Sequence, residues 1–212
     1  MIFDRKRRPS LPIMPIICGF FLALLLVACG GGSDNAAATP AVSTPPPAQP
    51  TSAPASNLAT YRGDGYSIGY PKGWKIDKSQ SGFITFSDPQ GIAYLTVHVM
   101  ENPGGFISPS NQVDAGLQLF QSRTSGNYHR LSVASTTSTG GETWNQGAAT
   151  GNLDVKGQTA PVPVKVVVIA DNHPANAQNS RGFSIAYATA DQVFDLANEG
   201  EFQPMLQSFR FA

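Results

Sequence analysis

The chain is poor in cysteine. It has two in 212 residues, Cys18 and Cys29, and none after that. Beyond residue 29 no disulfide and no cysteine-bound metal can form, so stability there must come from core packing. Histidine is nearly as scarce. His98, His129 and His173 are far apart and lack the i, i+2 or i, i+4 spacing of a metal pair. Charge is low at 13%, with 14 basic residues against 14 acidic. After Arg8 no basic run occurs, which argues against nucleic acid as a partner. No G-x-S-x-G elbow is present. Gly63, Gly65 and Gly69 do not make a dinucleotide fingerprint, because the third glycine is misplaced and a strand follows. No EF-hand loop occurs. Asp191 and Asp195 stand at i, i+4, but Asp191 is better explained as a helix N-cap. Glu199 and Glu201, flanking Gly200, read as solvated. Nothing selects a catalytic pair, and no cofactor is expected.

Long apolar runs are also missing. The longest unbroken one, Ile16 to Ala28, is 13 residues, whereas a membrane-spanning helix needs about 20. It follows the basic block Arg5, Lys6, Arg7 and Arg8, the arrangement of an export signal. Leu26-Val27-Ala28-Cys29 resembles the lipobox of bacterial lipoproteins. The resemblance implies removal of residues 1–28, lipid attachment to Cys29, and an extracytoplasmic chain anchored to a bacterial membrane. Maturation would leave 10 basic and 13 acidic residues, a net charge of −3. Residues 29–58 are then a tether. Gly30 to Leu58 is built from Gly, Ala, Ser, Thr and Pro, with six prolines and a single charge, Asp34. It has too little apolar surface to offset the entropy of ordering.

Residues 59–212 form one domain by length. Tyr66, Ile68 and Tyr70 alternate with smaller residues as a half-buried strand. Phe83 to Phe86 and Ile92 to Met100 should pair as a hairpin around Asp88-Pro89-Gln90-Gly91. In the second of these strands Leu95, Val97 and Val99 share one face, and Tyr94, Thr96 and His98 the other. Ser108 and Pro109 start a helix carrying Val113, Leu117 and Phe120 on one stripe, with Gly126 as its stop. Two strands are expected near 128–137 and 142–153. Val162 to Ala170 is the most apolar strand and should be central, and Phe183 to Tyr187 is another. Asp191 opens a helix ended by Gly200, and a short turn through Phe202, Met205 and Leu206 follows. The fold class is α+β, an antiparallel sheet flanked by helices.

Gly65-Tyr66-Ser67-Ile68-Gly69-Tyr70-Pro71-Lys72-Gly73-Trp74 resembles the opening of PsbP-like domains. Phe86-Ser87-Asp88-Pro89 and Phe202 to Phe211 fit the hairpin and the closing segment of that family. The resemblance implies an α/β/α sandwich, and a non-catalytic module that binds or assembles other proteins. The photosynthetic docking and metal-binding segments of the family have no match here. Loops are the expected functional surface. Glu101 to Ser108 presents Phe106 and Ile107, and Asp171 to Arg181 holds Asn172 and His173 in turn chemistry. The leading expectation is a membrane-anchored binding module for another envelope protein. A carrier or sensor of a small apolar ligand is the alternative, and a hydrolase the third reading.

Overall fold

The computed structural model describes residues 57–155 and 158–212. The expected signal segment, Cys29 and all but the last two residues of the tether lie outside the described residues. Leu58, assigned to the tether by sequence, opens the first strand.

The elements in chain order are β1 (Leu58–Gly63), β2 (Tyr66–Pro71), β3 (Lys75–Asp77), β4 (Phe83–Ser87), β5 (Tyr94–Glu101), α1 (Pro109–Arg123), β6 (Gly126–Leu131), β7 (Thr136–Thr139), β8 (Glu142–Leu153), β9 (Val162–His173), β10 (Arg181–Ala190), α2 (Phe194–Ala197), α3 (Gln203–Ser208) and β11 (Arg210–Phe211). Among the described residues the main sheet has eight strands. Seven run in the order β3-β4-β5-β10-β9-β8-β6, and β7 joins β6 along the same edge of β8. A second sheet has the order β1-β2-β11. Every pairing is antiparallel.

The two faces of the main sheet carry separate cores. On one, Val113, Leu117 and Phe120 of α1 pack on Ala149, Val164, Val166, Val168, Ala170 and Ala188. On the other, Leu95, Val97, Trp144, Val167, Ile169, Phe183 and Ile185 meet Tyr66 and Ile68 of β2, and Phe202, Met205, Leu206 and Phe209 of the C-terminal segment. Strand β9 is buried on both faces, which is why Val162 to Ala170 reads as an almost continuous apolar run. The result is the expected α+β architecture. The small sheet β1-β2-β11 adds to the helical layer on the second face.

Local chemistry accounts for most boundaries. Ser108 Oγ accepts from the Asn111 N–H at 3.2 Å and Pro109 takes the first helical position, so α1 starts as expected. It does not stop at Gly126. Thr124 adopts extended backbone and its hydroxyl donates to the Gln121 carbonyl at 2.7 Å, and Gly126 opens β6. In the β4–β5 turn one Asp88 oxygen accepts from the amides of Ile92 (2.6 Å) and Ala93 (2.8 Å), and the other from Gln90 (3.1 Å). The stretch 128–137, expected as one strand, is two, because the 12 residues of β8 are long enough to pair with β6 and β7 in succession.

Two further expectations fail in the C-terminal segment. Asp191 is not a side-chain cap, since Ala190 holds that position and a 3-10 turn, Asp191–Val193, follows without a side-chain capping bond. Gly200 does not end a helix. It sits inside a π turn, Asn198–Phe202, that joins α2 to α3, and it lacks the left-handed φ of a terminating glycine. Glu201 is not fully solvated either. It is half-buried, and burial together with the Asp88 charge raises its carboxyl above the ordinary range.

Candidate binding surfaces

The two loops nominated by sequence meet at one end of the main sheet. Asn172 is not a loop residue. It lies in β9, where the ladder with β10 runs on to His173 opposite Arg181, and it is 8% exposed. Its Oδ1 accepts from Asn102 Nδ2 (2.9 Å) and from Gln112 Nε2 (2.6 Å), and its Nδ2 donates to the Ile107 carbonyl (2.9 Å). Asn102 brackets the same residue. Its Oδ1 accepts from the Ile107 N–H at 2.9 Å and its Nδ2 donates to the Ile107 carbonyl at 2.8 Å. The backbone is tied further by Gly104 N–H to Ala177 O (2.9 Å) and Asn102 N–H to Ser180 O (3.1 Å). Three buried amide side chains thus hold the Phe106 loop from below. Phe106 itself is 90% exposed, the highest value among the large apolar side chains of the described residues, and Ile107 is 42% exposed.

His173 sits beside this latch but looks the other way. Its ring stacks on Phe211 with centroids 3.9 Å apart, and Nδ1 lies 3.5 Å from Glu142 Oε1. Its strand partner Arg181 forks onto Asp64 (2.7 and 3.0 Å) and reaches Glu101 at 3.3 Å. Sequence reading singled out none of Asn102, Gln112, Glu142, Asp64 or Arg181. Their partners are 60 to 117 residues away in the chain for Gln112–Asn172, Asn102–Asn172 and Asp64–Arg181. The only local sign was the turn chemistry of Asn102-Pro103-Gly104.

A second feature lies on the α1 face. The helix covers β8, β9 and β10, and leaves β5 and β4 bare. The gap is a groove of about 360 Å³. Its floor follows from register. Thr85, Thr96, Ala186 and Val168 are successive cross-strand partners, and so are Phe83, His98 and Ser184 one step along. Tyr94 lies at one end and Met100 at the other. The α1 wall is Gln112, Ala115, Gly116, Leu119, Phe120 and Arg123. The groove is deep because Gly116 lets the helix sit close: a Cβ there would lie 2.8 Å from Val168 Cγ1. The Thr85 and Thr96 hydroxyls bond each other at 2.9 Å.

His98 stacks on Phe83 with centroids 4.0 Å apart, and burial lowers its pKa from 6.5. Among the described residues it has no carboxylate at ion-pair distance. A histidine that binds its proton less readily in the fold than in the unfolded chain makes stability fall as pH drops through about 6.5 toward the lowered value. Thermal unfolding between pH 8 and 5 should therefore show a decline that His98→Gln flattens. An unchanged slope in the variant would remove His98 as its source.

No protein-family model matches the chain, and no curated protein matches it. Solved structures with a similar backbone include a protein from Bacteroides thetaiotaomicron VPI-5482, at 9% identity and TM-score 0.41, matched over 70% of this chain. This chain spans 45% of that protein's length. LpqN, involved in cell envelope biogenesis of Mycobacterium tuberculosis, is similar at 12% identity and TM-score 0.46, over 73% of this chain and 90% of LpqN. Among the described residues no helix is long and apolar enough to cross a membrane.

Proposed function

We propose that this is an extracytoplasmic lipoprotein, held to a bacterial membrane through Cys29, whose PsbP-like globular part is a non-catalytic module that docks another envelope protein through the Phe106 loop. One observation carries the reading: a phenyl ring 90% exposed on a loop that buried amides hold in place. Exposed aromatic side chains supply much of the energy of interfaces when they enter a partner's pocket. A loop already ordered before binding loses little freedom on docking, so more of that energy appears as affinity. The lipobox and the disordered-type composition of residues 30–58 agree with a module presented away from a membrane.

The test is crosslinking of the lipidated protein in its own membranes. A stoichiometric protein partner is expected with the native chain. Phe106→Ser should weaken capture by roughly thirtyfold, the scale of an aromatic anchor, with no change in melting temperature. A partner captured equally well by Phe106→Ser, or no specific partner at all, overturns the reading.

A further inference from the structure

The groove between α1 and the bare strands β4 and β5 points to a second, separate site, and we propose that it binds a single-chain amphiphile with a carboxylate head. It does not depend on the Phe106 reading.

The geometry gives the long axis. The floor runs along β5 from Tyr94 to Met100, seven residues spanning about 20 Å of extended strand. Its middle presents Phe83, Ala186 and the stacked His98 ring, and the wall above it presents Ala115, Leu119 and Phe120. These groups suit a narrow apolar chain better than a bulky or highly charged body. The small side chains of Ala115 and Ala186, with Gly116, leave the width for it.

The two ends of the groove differ in charge. Arg123 stands at the Tyr94 end, in the last turn of α1, and among the described residues it has no ion-pair partner. Burial raises the Tyr94 phenol above its ordinary pKa, and the Arg123 charge opposes that rise. A guanidinium and a phenol hydroxyl beside an apolar trough form a donor pair for one carboxylate. Among the described residues that line it, the Met100 end carries no charged side chain. Asp77, on the outer rim, turns its carboxylate to the Ser79 N–H at 2.8 Å. The occupant therefore lies with its anion at Arg123 and its tail toward Met100. Hydroxyls of Thr85, Thr96 and Ser184 on the floor set a limit on how apolar the tail contact is, and the Thr85–Thr96 bond satisfies two of them internally.

The experiment compares decanoate with 1-decanol, which has the same chain and no charge. Calorimetric titration uses the mature chain, residues 29–212, with Cys29→Ser to exclude bound lipid and detergent. One decanoate per chain is expected. Arg123→Gln should weaken decanoate about tenfold, the worth of a charge-assisted hydrogen bond at a half-open site, and leave decanol unchanged. Ala115→Trp places an indole over the trough from an exposed helix position and should weaken both ligands at least tenfold, with the circular dichroism spectrum unchanged. Phe106→Ser should bind decanoate like the parent chain. Absence of decanoate binding, binding unaltered by Ala115→Trp, or equal loss of both ligands in Arg123→Gln would each overturn the assignment. The arginine variant decides the head-group question even if the tryptophan variant fails to fold.

Discussion

Trp144→Ala should destabilise the domain by about 3–5 kcal/mol, the range for removing a fully buried large aromatic side chain. Trp144 on β8 is completely buried. Its indole meets Phe209 edge-on with centroids 5.2 Å apart, and stacks on Phe211 at 5.8 Å. Its Nε1–H donates to the Thr139 carbonyl at 3.1 Å across the β7–β8 hairpin. Truncation would leave a cavity where the main sheet meets the C-terminal strand and would remove one donor from the Thr139 carbonyl. For a domain of this size the melting temperature should fall by roughly 10 °C. Denaturant unfolding measures the loss directly. A cost under about 1 kcal/mol would mean that Phe209 and Phe211 do not depend on the indole for their packing.

Asn172→Ala is the second large effect, expected at about 2–4 kcal/mol. The cost is not apolar area but unpaired polar groups. Asn102 Nδ2 and Gln112 Nε2 lose their shared acceptor, and the Ile107 carbonyl loses one donor. Each buried group left without a partner costs roughly 1–3 kcal/mol, less what neighbouring bonds recover. Here Asn102 retains its two bonds to Ile107. The change should also be local: amide hydrogen exchange at Ile107 and Gly105 should accelerate far more than exchange in β9 and β10. Uniform acceleration across the domain would show that Asn172 supports the sheet and not the loop. Loss of partner capture in this variant, with Phe106 intact, would separate the loop's shape from its side chain.

Periodicity carried the fold a long way. Alternation placed Leu95 and Val97 in the core and Tyr94, Thr96 and His98 on the opposite face, and the structure agrees. The nearly unbroken run Val162 to Ala170 marked a strand covered on both sides. The Ser108-Pro109 start of α1 was readable because capping is a local reaction between neighbouring residues. The errors came where a competing local device took over. Thr124 ended α1 with its own hydroxyl before Gly126 was reached, and a π turn carried the backbone through Gly200. The candidate surfaces were half legible. Composition nominated Phe106 and the Asn172 segment separately, but nothing local tells that one holds the other. Nor does sequence tell that α1 lies over β8 to β10 and leaves β4 and β5 bare. That is set by Gly116 and Gly147, where side chains would collide with Val168 and with Val113.

The clasp at the chain end has a consequence for how the domain comes together. Phe211 pairs with Tyr66 and Arg210 with Ser67, while Ser208 Oγ accepts from the Gly69 N–H at 2.7 Å. Strand β2 and residues 208–211 are thus one structural unit, separated by some 140 positions of chain. Such long-range closure slows the search for the native state. Tyr66 and Ile68 have their full packing only once residues 202–211 are in place. The second core therefore closes only when residues 202–211 have joined β2, and removal of residues 208–212 should leave a chain that holds its main sheet but exposes the aromatic residues packed on Phe209 and Phe211 to proteases and aggregation.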